Sequence, residues 1–365
     1  MNRLVQDIHS IDQARYEEYQ ARIDNLTKPR GSLGLLEPIA ARFAAIRHPD
    51  VASIDRQSLF TFAADHGISR AGVSRYPREV TAQMVYNFLA GGAAINVLCR
   101  QYGIHNVIVD VGVDHQFGPL DGLVDRKIAR GTGHFLEGPA MTHDQAERAI
   151  EIGIELAEAE IQNGAGLLGT GEMGIGNTTA SSAIFAAVTG LDADVVTGSG
   201  TGIDEEHRRT KIDVIRRALV LHELSATRVD SSPTRALDVL AAVGGFEIGA
   251  LVGVVLAAAA RSVPVVIDGF ISTAAAVLAV QLCPRTLEYM YFSHRSRETG
   301  HDRILAWLGV RPILDLDMRL GEGTGAAIAM NIVTAAVKLL TEMATFDNAG
   351  VSRTANTAAD APVET

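Results

Sequence analysis

From Ser58 onward the chain repeats one pattern: a short apolar run, a glycine-bearing loop, then a longer stretch with helical spacing. Runs of this kind stand at 59–64, 106–111, 166–168, 263–267 and, more weakly, 287–292, with helical patterns near 79–102, 144–163, 177–189 and 204–224. Such alternation builds a mostly parallel sheet with helices on both faces, so the fold class is α/β. The 365 residues leave room for a second, smaller unit. Before Ser58, residues 12–48 predict two helices broken at 27–32, where Pro29 and Gly31 punctuate the chain. The last long helix is expected at about 325–346, and the polar, alanine-rich stretch 348–365 is expected to be a disordered tail.

Composition removes several classes of function. A net charge of −11 opposes a broad basic face, so nucleic acid is not an expected partner. Two cysteines, Cys99 and Cys283, supply neither a disulfide framework nor a cysteine zinc cluster, and they suit a reducing cytoplasm. The opening Met-Asn-Arg-Leu-Val-Gln-Asp is too polar for a signal peptide. The apolar stretches 248–260 and 270–283 fall short of the roughly 18 residues a membrane span needs. Arg261 and Asp268 interrupt them, and the β-branched run between reads as a buried parallel strand, so no membrane insertion is expected.

In open parallel sheets, ligands bind beyond the carboxyl ends of the strands. The loops there are dense in chemistry: Asp65-His66-Gly67, 171–179, Asp268-Gly269, Ser293-His294-Arg295-Ser296 and 319–325. Gly169-Thr170-Gly171-Glu172-Met173-Gly174 matches G-x-G-x-x-G, with Asp192 at a distance suited to a ribose hydroxyl, which keeps a dinucleotide reading open. Gly176-Asn177-Thr178-Thr179 is the better physical object. Its exposed backbone N–H groups and hydroxyls at a helix start suit a phosphate, although ordinary N-capping gives the same pattern.

Three charged residues carry two readings each. Glu322, among the glycines of Gly321-Glu322-Gly323-Thr324-Gly325, is either a general base or an acid placed favourably at a helix N-terminus. Glu172 is a ligand or a solvated loop acid. Lys211, after Glu205-Glu206-His207-Arg208-Arg209, reads first as part of a solvated helix face. Asp65-His66 lacks a further ligand at metal spacing, and H-E-x-x-H, G-x-S-x-G and P-loop motifs are absent, so no metal is expected.

Taken together, several blocks resemble the nicotinate-nucleotide:5,6-dimethylbenzimidazole phosphoribosyltransferase family. They are Lys28-Pro29-Arg30-Gly31-Ser32-Leu33-Gly34, Ala64-Asp65-His66-Gly67, Gly91-Gly92-Ala93-Ala94-Ile95-Asn96, the run from Gly171 to Thr179, Val243-Gly244-Gly245-Phe246, Ile267-Asp268-Gly269-Phe270 and the run from Met318 to Gly325. The resemblance implies a Rossmann-like catalytic domain over 51–325, a small helical domain from 1–50 and 326–347, and a homodimer. It puts the family's general base on Glu322, its loop glutamate on Glu172 and its lysine on Lys211. Gly174, Gly176, Asn177 and Thr178 become the nucleotide phosphate turn. Around the base, positions that are serine, glutamine and leucine in some relatives are Tyr76, Met84 and Met173 here, with Leu320 beside them, so a more apolar base pocket is expected.

The implied reaction moves phosphoribose from nicotinate mononucleotide to dimethylbenzimidazole, in synthesis of the cobalamin lower ligand, and calls for no cofactor. The pyridinium is already a good leaving group, so the site needs one base and correct placement. An NAD-dependent oxidoreductase and a non-catalytic nucleotide-binding protein are the alternatives.

Overall fold

In the computed structural model the described residues are 2–49, 54, 56–198, 205–224 and 233–352. The chain divides into two compact units, Met1–Ser10 with Arg56–Met330, and Ile11–Asp55 with Asn331–Thr365.

The first unit is built on six parallel strands: β1 (Arg56–Ala64), β2 (His105–Gly112), β3 (Leu123–Asp125), β4 (Ala165–Met173), β5 (Val265–Ile267) and β6 (Met290–Phe292), in the order β3-β2-β1-β4-β5-β6. The order reverses between β1 and β4, and the crevice beyond their carboxyl ends is where such sheets bind ligands. β3 was not legible as an apolar run. β4 is far longer than expected, because Gly169-Thr170-Gly171-Glu172 reads as loop chemistry yet pairs along β1 from Leu59 to Phe62.

Helices in chain order are α1 (Asn2–Gln6), α2 (Gln13–Asp24), α3 (Leu36–Arg47), α4 (Glu79–Leu89), α5 (Ala94–Tyr102), α6 (His143–Gln162), α7 (Asn177–Thr189), α8 (Glu205–Leu221), α9 (Pro233–Val243), α10 (Phe246–Ala260), α11 (Phe270–Leu282), α12 (His301–Leu308), α13 (Thr324–Glu342) and α14 (Phe346–Ala349). The single helix expected over 79–102 is two, because Gly91 at φ +75 ends the first. Asp204, the expected start of the helix that begins at Glu205, lies outside the described residues.

The apolar stretch at 248–260 is the interior of α10, buried on all sides as an all-round apolar helix of a soluble core requires. Glu79–Tyr102 and Thr324–Glu342 have the length and mean hydropathy of a span, but the first is broken in two. α10 crosses α6 at backbone contact. A Cβ on Gly153 would fall 1.8 Å from the Ala250 carbonyl oxygen, and one on Gly253 would fall 2.0 Å from that of Ile150. Glycine inside a helix costs about 1 kcal/mol against alanine, and here it permits that crossing.

Residues 1–10, expected with the helical unit, group with the sheet unit. Ile8 is fully buried, Arg285 donates to its carbonyl, and the Tyr289 hydroxyl donates to that of His9.

In the second unit, Asp12 caps α2 by accepting from the N–H groups of Ala14 and Arg15. The loop before α3 is folded around a buried ion pair, Lys28 Nζ to Glu37 Oε1 at 2.7 Å, and the same oxygen accepts from the Leu33 N–H. Thr345 caps α14, so the stretch expected as a tail from 348 begins inside a helical turn; residues 353–365 lie outside the described residues.

Candidate active site

Beyond the carboxyl ends of β4, β5 and β6 lies a cavity of about 340 Å³. One end is apolar. Val80 and Met84 stand one turn apart on α4, with Tyr76 before them, Met173 at the end of β4, Leu320, and Phe270 and Ile271 at the start of α11. Tyr76 and Leu320 are 50% and 58% exposed, which sets them at the mouth. α4 is tied to the neighbouring turn by Thr81, whose Oγ1 accepts from the Ile175 N–H at 3.2 Å.

The other end is polar. Gly176 takes φ +102 as the N-cap of α7, and Asn177 and Thr178 form that helix's first turn; the Asn177 N–H donates to the Gly174 carbonyl at 3.2 Å, and the positive end of the helix beside the Thr178 hydroxyl favours an anion. Lys211 comes from α8, and it is not the solvated helix residue its neighbours suggest. It is 1% exposed, and its Nζ lies 3.0 Å from Thr178 Oγ1. Burial pushes its pKa down to about 8, opposed by the nearby Glu298.

Glu322 sits between these ends on an unusual turn. Gly321, Glu322 and Gly323 all have positive φ, at +86, +65 and +94, and a non-glycine residue there is strained. Asp268, after β5, holds the turn: its Oδ2 accepts from the Gly323 N–H at 3.1 Å and its Oδ1 from that of Ala326 at 2.9 Å. Thr61 Oγ1 donates to the Glu322 carbonyl at 3.3 Å. The turn also rests on β4. A Cβ on Gly171 would lie 2.5 Å from the Glu322 carbonyl oxygen, so only glycine lets strand and turn meet.

The electrostatics follow from the crowding of acids. The Glu322 carboxyl is 6% exposed as a residue, and its Oε2 is buried without a hydrogen-bond partner. Burial first, then the Asp268 charge, push its pKa up to about 7. Glu172 is pushed well above the ordinary carboxylate range by burial and by Glu247, Asp268 and Glu322, against a hydrogen bond from Asn177 Nδ2. Burial and the neighbouring acids thus shift both carboxyls in the same direction, toward the neutral form. A carboxyl poised near neutrality in a cavity is a base of the kind acid–base catalysis uses.

A phosphoribosyltransferase family model matches residues 8–351. The chain belongs to this phosphoribosyltransferase family. It is 51% identical over 342 residues to the nicotinate-nucleotide–dimethylbenzimidazole phosphoribosyltransferase of Geobacter sulfurreducens, covering 94% of this chain and 95% of that one. The enzyme of the same name from Chloroflexus aggregans is 51% identical over 352 residues, covering 96% and 98%. The crystal structure of CobT from Thermus thermophilus superposes with a TM-score of 0.87 at 45% identity, over 93% of this chain and 99% of that one.

Of the residues singled out in the sequence, Tyr76, Met84, Glu172, Met173, Gly174, Asn177, Thr178, Leu320 and Glu322 all line the cavity. Gly176 caps the adjoining helix, and Lys211 reaches it through Thr178. The dinucleotide fingerprint is corrected. Its first glycines lie inside β4, where they make room for Met330, Leu59 and the Glu322 turn, and Asp192 pairs with Arg216 on the surface at 2.6 Å.

His66 faces Glu247 at 2.6 Å, with both side chains fully buried, while Asp65 accepts from the Asp114 N–H. Reading the sequence missed Val80, Phe270, Ile271 and Glu298, and also Asp268's role in holding the turn. The spacing of Val80 and Met84 on one helix face is the signal that would have found the first.

Proposed function

We propose that this chain transfers the 5-phosphoribosyl group of nicotinate mononucleotide to 5,6-dimethylbenzimidazole or a related base, giving α-ribazole 5′-phosphate and nicotinate for the lower ligand of cobalamin. The observation that carries the mechanism is the buried, unpartnered Glu322 Oε2 between an apolar recess and an anion-binding helix start.

The acceptor base lies in the recess of Tyr76, Met84, Met173 and Leu320. One of its ring nitrogens attacks C1′ while the other gives its proton to Glu322. The bond from C1′ to the pyridinium nitrogen breaks with its electron pair on that nitrogen, so nicotinate leaves neutral at the ring. Attack opposite a β-linked leaving group gives the α-linkage in a single inversion, and one carboxylate suffices where a retaining glycosidase needs two. The phosphate sits against Gly174, Gly176, Asn177 and Thr178 with Lys211 as counter-charge, and Glu172 orients Asn177 by accepting from its Nδ2. Chromatography of nicotinate mononucleotide and dimethylbenzimidazole incubated with the protein tests the reading: free nicotinate and a ribazole phosphate are expected, and the absence of both ends it.

Two results follow for the parts of the site. Thr178→Ala removes the hydroxyl that lies 3.0 Å from Lys211 Nζ, so the nucleotide KM is expected to rise about ten- to hundred-fold with a smaller change in kcat. An unchanged KM would put the phosphate elsewhere. The methionine-lined recess adapts its shape, so competition assays with several benzimidazoles and purines are expected to give mixed products; strict selection of dimethylbenzimidazole would contradict an adaptable recess. The same reading includes a homodimer, checked by sedimentation, and a reducing compartment such as the cytoplasm, since Cys99 and Cys283 are both buried and unpaired.

A further inference from the structure

Gly269, after β5, and Ser296, after β6, face the cavity from two different loops. Behind them lies His301, the first residue of α12, 1% exposed and assigned no part in the chemistry above. Its ring joins the two loops, and every bond has a forced direction. The Ser296 backbone N–H, 2.9 Å from Nδ1, can only donate, so Nδ1 carries a lone pair. Nε2 therefore bears the proton and donates to Thr273 Oγ1 at 3.0 Å, and that hydroxyl spends its hydrogen on the Gly269 carbonyl at 2.8 Å.

Protonating Nδ1 would set two donors against each other. In keeping with this, burial first and His294 second push the ring's pKa down to about 3. The network continues into the second loop. Ser296 Oγ accepts from the Glu298 N–H at 3.3 Å, and the His301 N–H donates to the Glu298 carbonyl at 3.2 Å. Glu298 is the charged neighbour of Lys211.

We propose that His301 is a positioning residue for the nucleotide: a strut, accepting at Nδ1 and donating at Nε2, that fixes the Ser296–Glu298 segment relative to Gly269, and through Glu298 sets the surroundings of Lys211. This rests on the reading of the polar end of the cavity as the phosphoribosyl site. A packing role alone, such as the edge contact of the ring with Phe270, would lower stability without singling out one substrate.

The test compares His301→Leu, His301→Asn and His301→Gln. Asparagine's amide oxygen stands near the place of Nδ1 and accepts from Ser296; glutamine's amide reaches only the place of Nε2. For His301→Leu, a rise of about tenfold in nucleotide KM is expected, with kcat and the base KM changed less than about twofold. His301→Asn is expected to recover most of that loss and His301→Gln little of it. An unchanged nucleotide KM in folded His301→Leu, an equal rise in both KM values, or no recovery by asparagine would overturn the proposal.

Should the leucine variant not fold, ¹⁵N NMR of the wild-type ring decides. Nδ1 is expected to stay unprotonated and Nε2 protonated down to about pH 5, below the range where histidine ordinarily titrates. A proton on Nδ1 at or above that pH would overturn the strut. Failure of the site reading itself has a separate signature, an unchanged nucleotide KM in Thr178→Ala.

Discussion

Glu322→Gln is expected to lower kcat by about 10²–10⁴-fold, the usual contribution of a positioned general base, while nucleotide affinity measured by calorimetry stays within a few-fold. Glutamine keeps the size and polarity of the side chain on a strained turn held by Asp268 and Thr61, so the turn survives and only the proton acceptor is lost. Near-normal turnover would remove Glu322 from the mechanism.

The pH profile supplies an independent reading of the same residue. A carboxylate accepts a proton only when ionised, so kcat/KM is expected to fall as pH drops through about 7, the value to which burial and Asp268 push Glu322. Lys211 loses its charge as pH rises through about 8, so a second limb from weakened nucleotide binding is expected there. The result is a narrow bell in kcat/KM, which reports the free enzyme. In Glu322→Gln the acid limb disappears from the residual rate and the alkaline limb remains.

The second large effect is expected from Gly171→Ala. The new methyl group would sit 2.5 Å from the Glu322 carbonyl oxygen and 2.8 Å from both its carbonyl carbon and the Gly323 nitrogen. All three are backbone atoms of the turn that carries Glu322, so the turn must move. A displacement near 1 Å costs about 10²-fold in rate, and overpacking costs about 1–3 kcal/mol of stability.

Gly169→Ala on the same strand is the control. Its methyl group would meet the ends of the Met330 and Leu59 side chains, which can yield. Thermal unfolding and kcat measured on both variants separate the cases. Equal losses would mean that strand packing, not the position of the turn, sets the rate.

Much of this architecture was legible because its signals are local. A β-branched run between apolar helices announces β5, and glycine followed by asparagine and threonine announces the start of α7. What escaped was set by partners distant in the chain. Gly169 to Glu172 look like a loop until β1 pairs with them, since a glycine- and threonine-rich strand has no apolar run of its own. Lys211 follows a run of charges that reads as a wet helix face, and only the tertiary fold turns it inward to Thr178, 33 residues earlier. His66 and Glu247, 181 residues apart, become a buried pair for the same reason. Spacing registers what a residue's neighbours in the helix or strand will be, and these residues draw their roles from another element.

The two ends of the cavity also differ in what anchors them. Glu322, Asp268, Glu172 and Lys211 are buried and held by strands, a helix start and hydrogen bonds to backbone. Tyr76 and Leu320, at the other end, are half or more exposed, and Met84 is only partly buried on α4. Tyr76 and Met84 lie outside both the Glu322 turn and the sheet. On the proposed placement of the acceptor base, changes at Tyr76 and Met84 retune which base is taken while the turn and the sheet stay in place, so an enzyme of this build can be turned to a new base without being rebuilt around it.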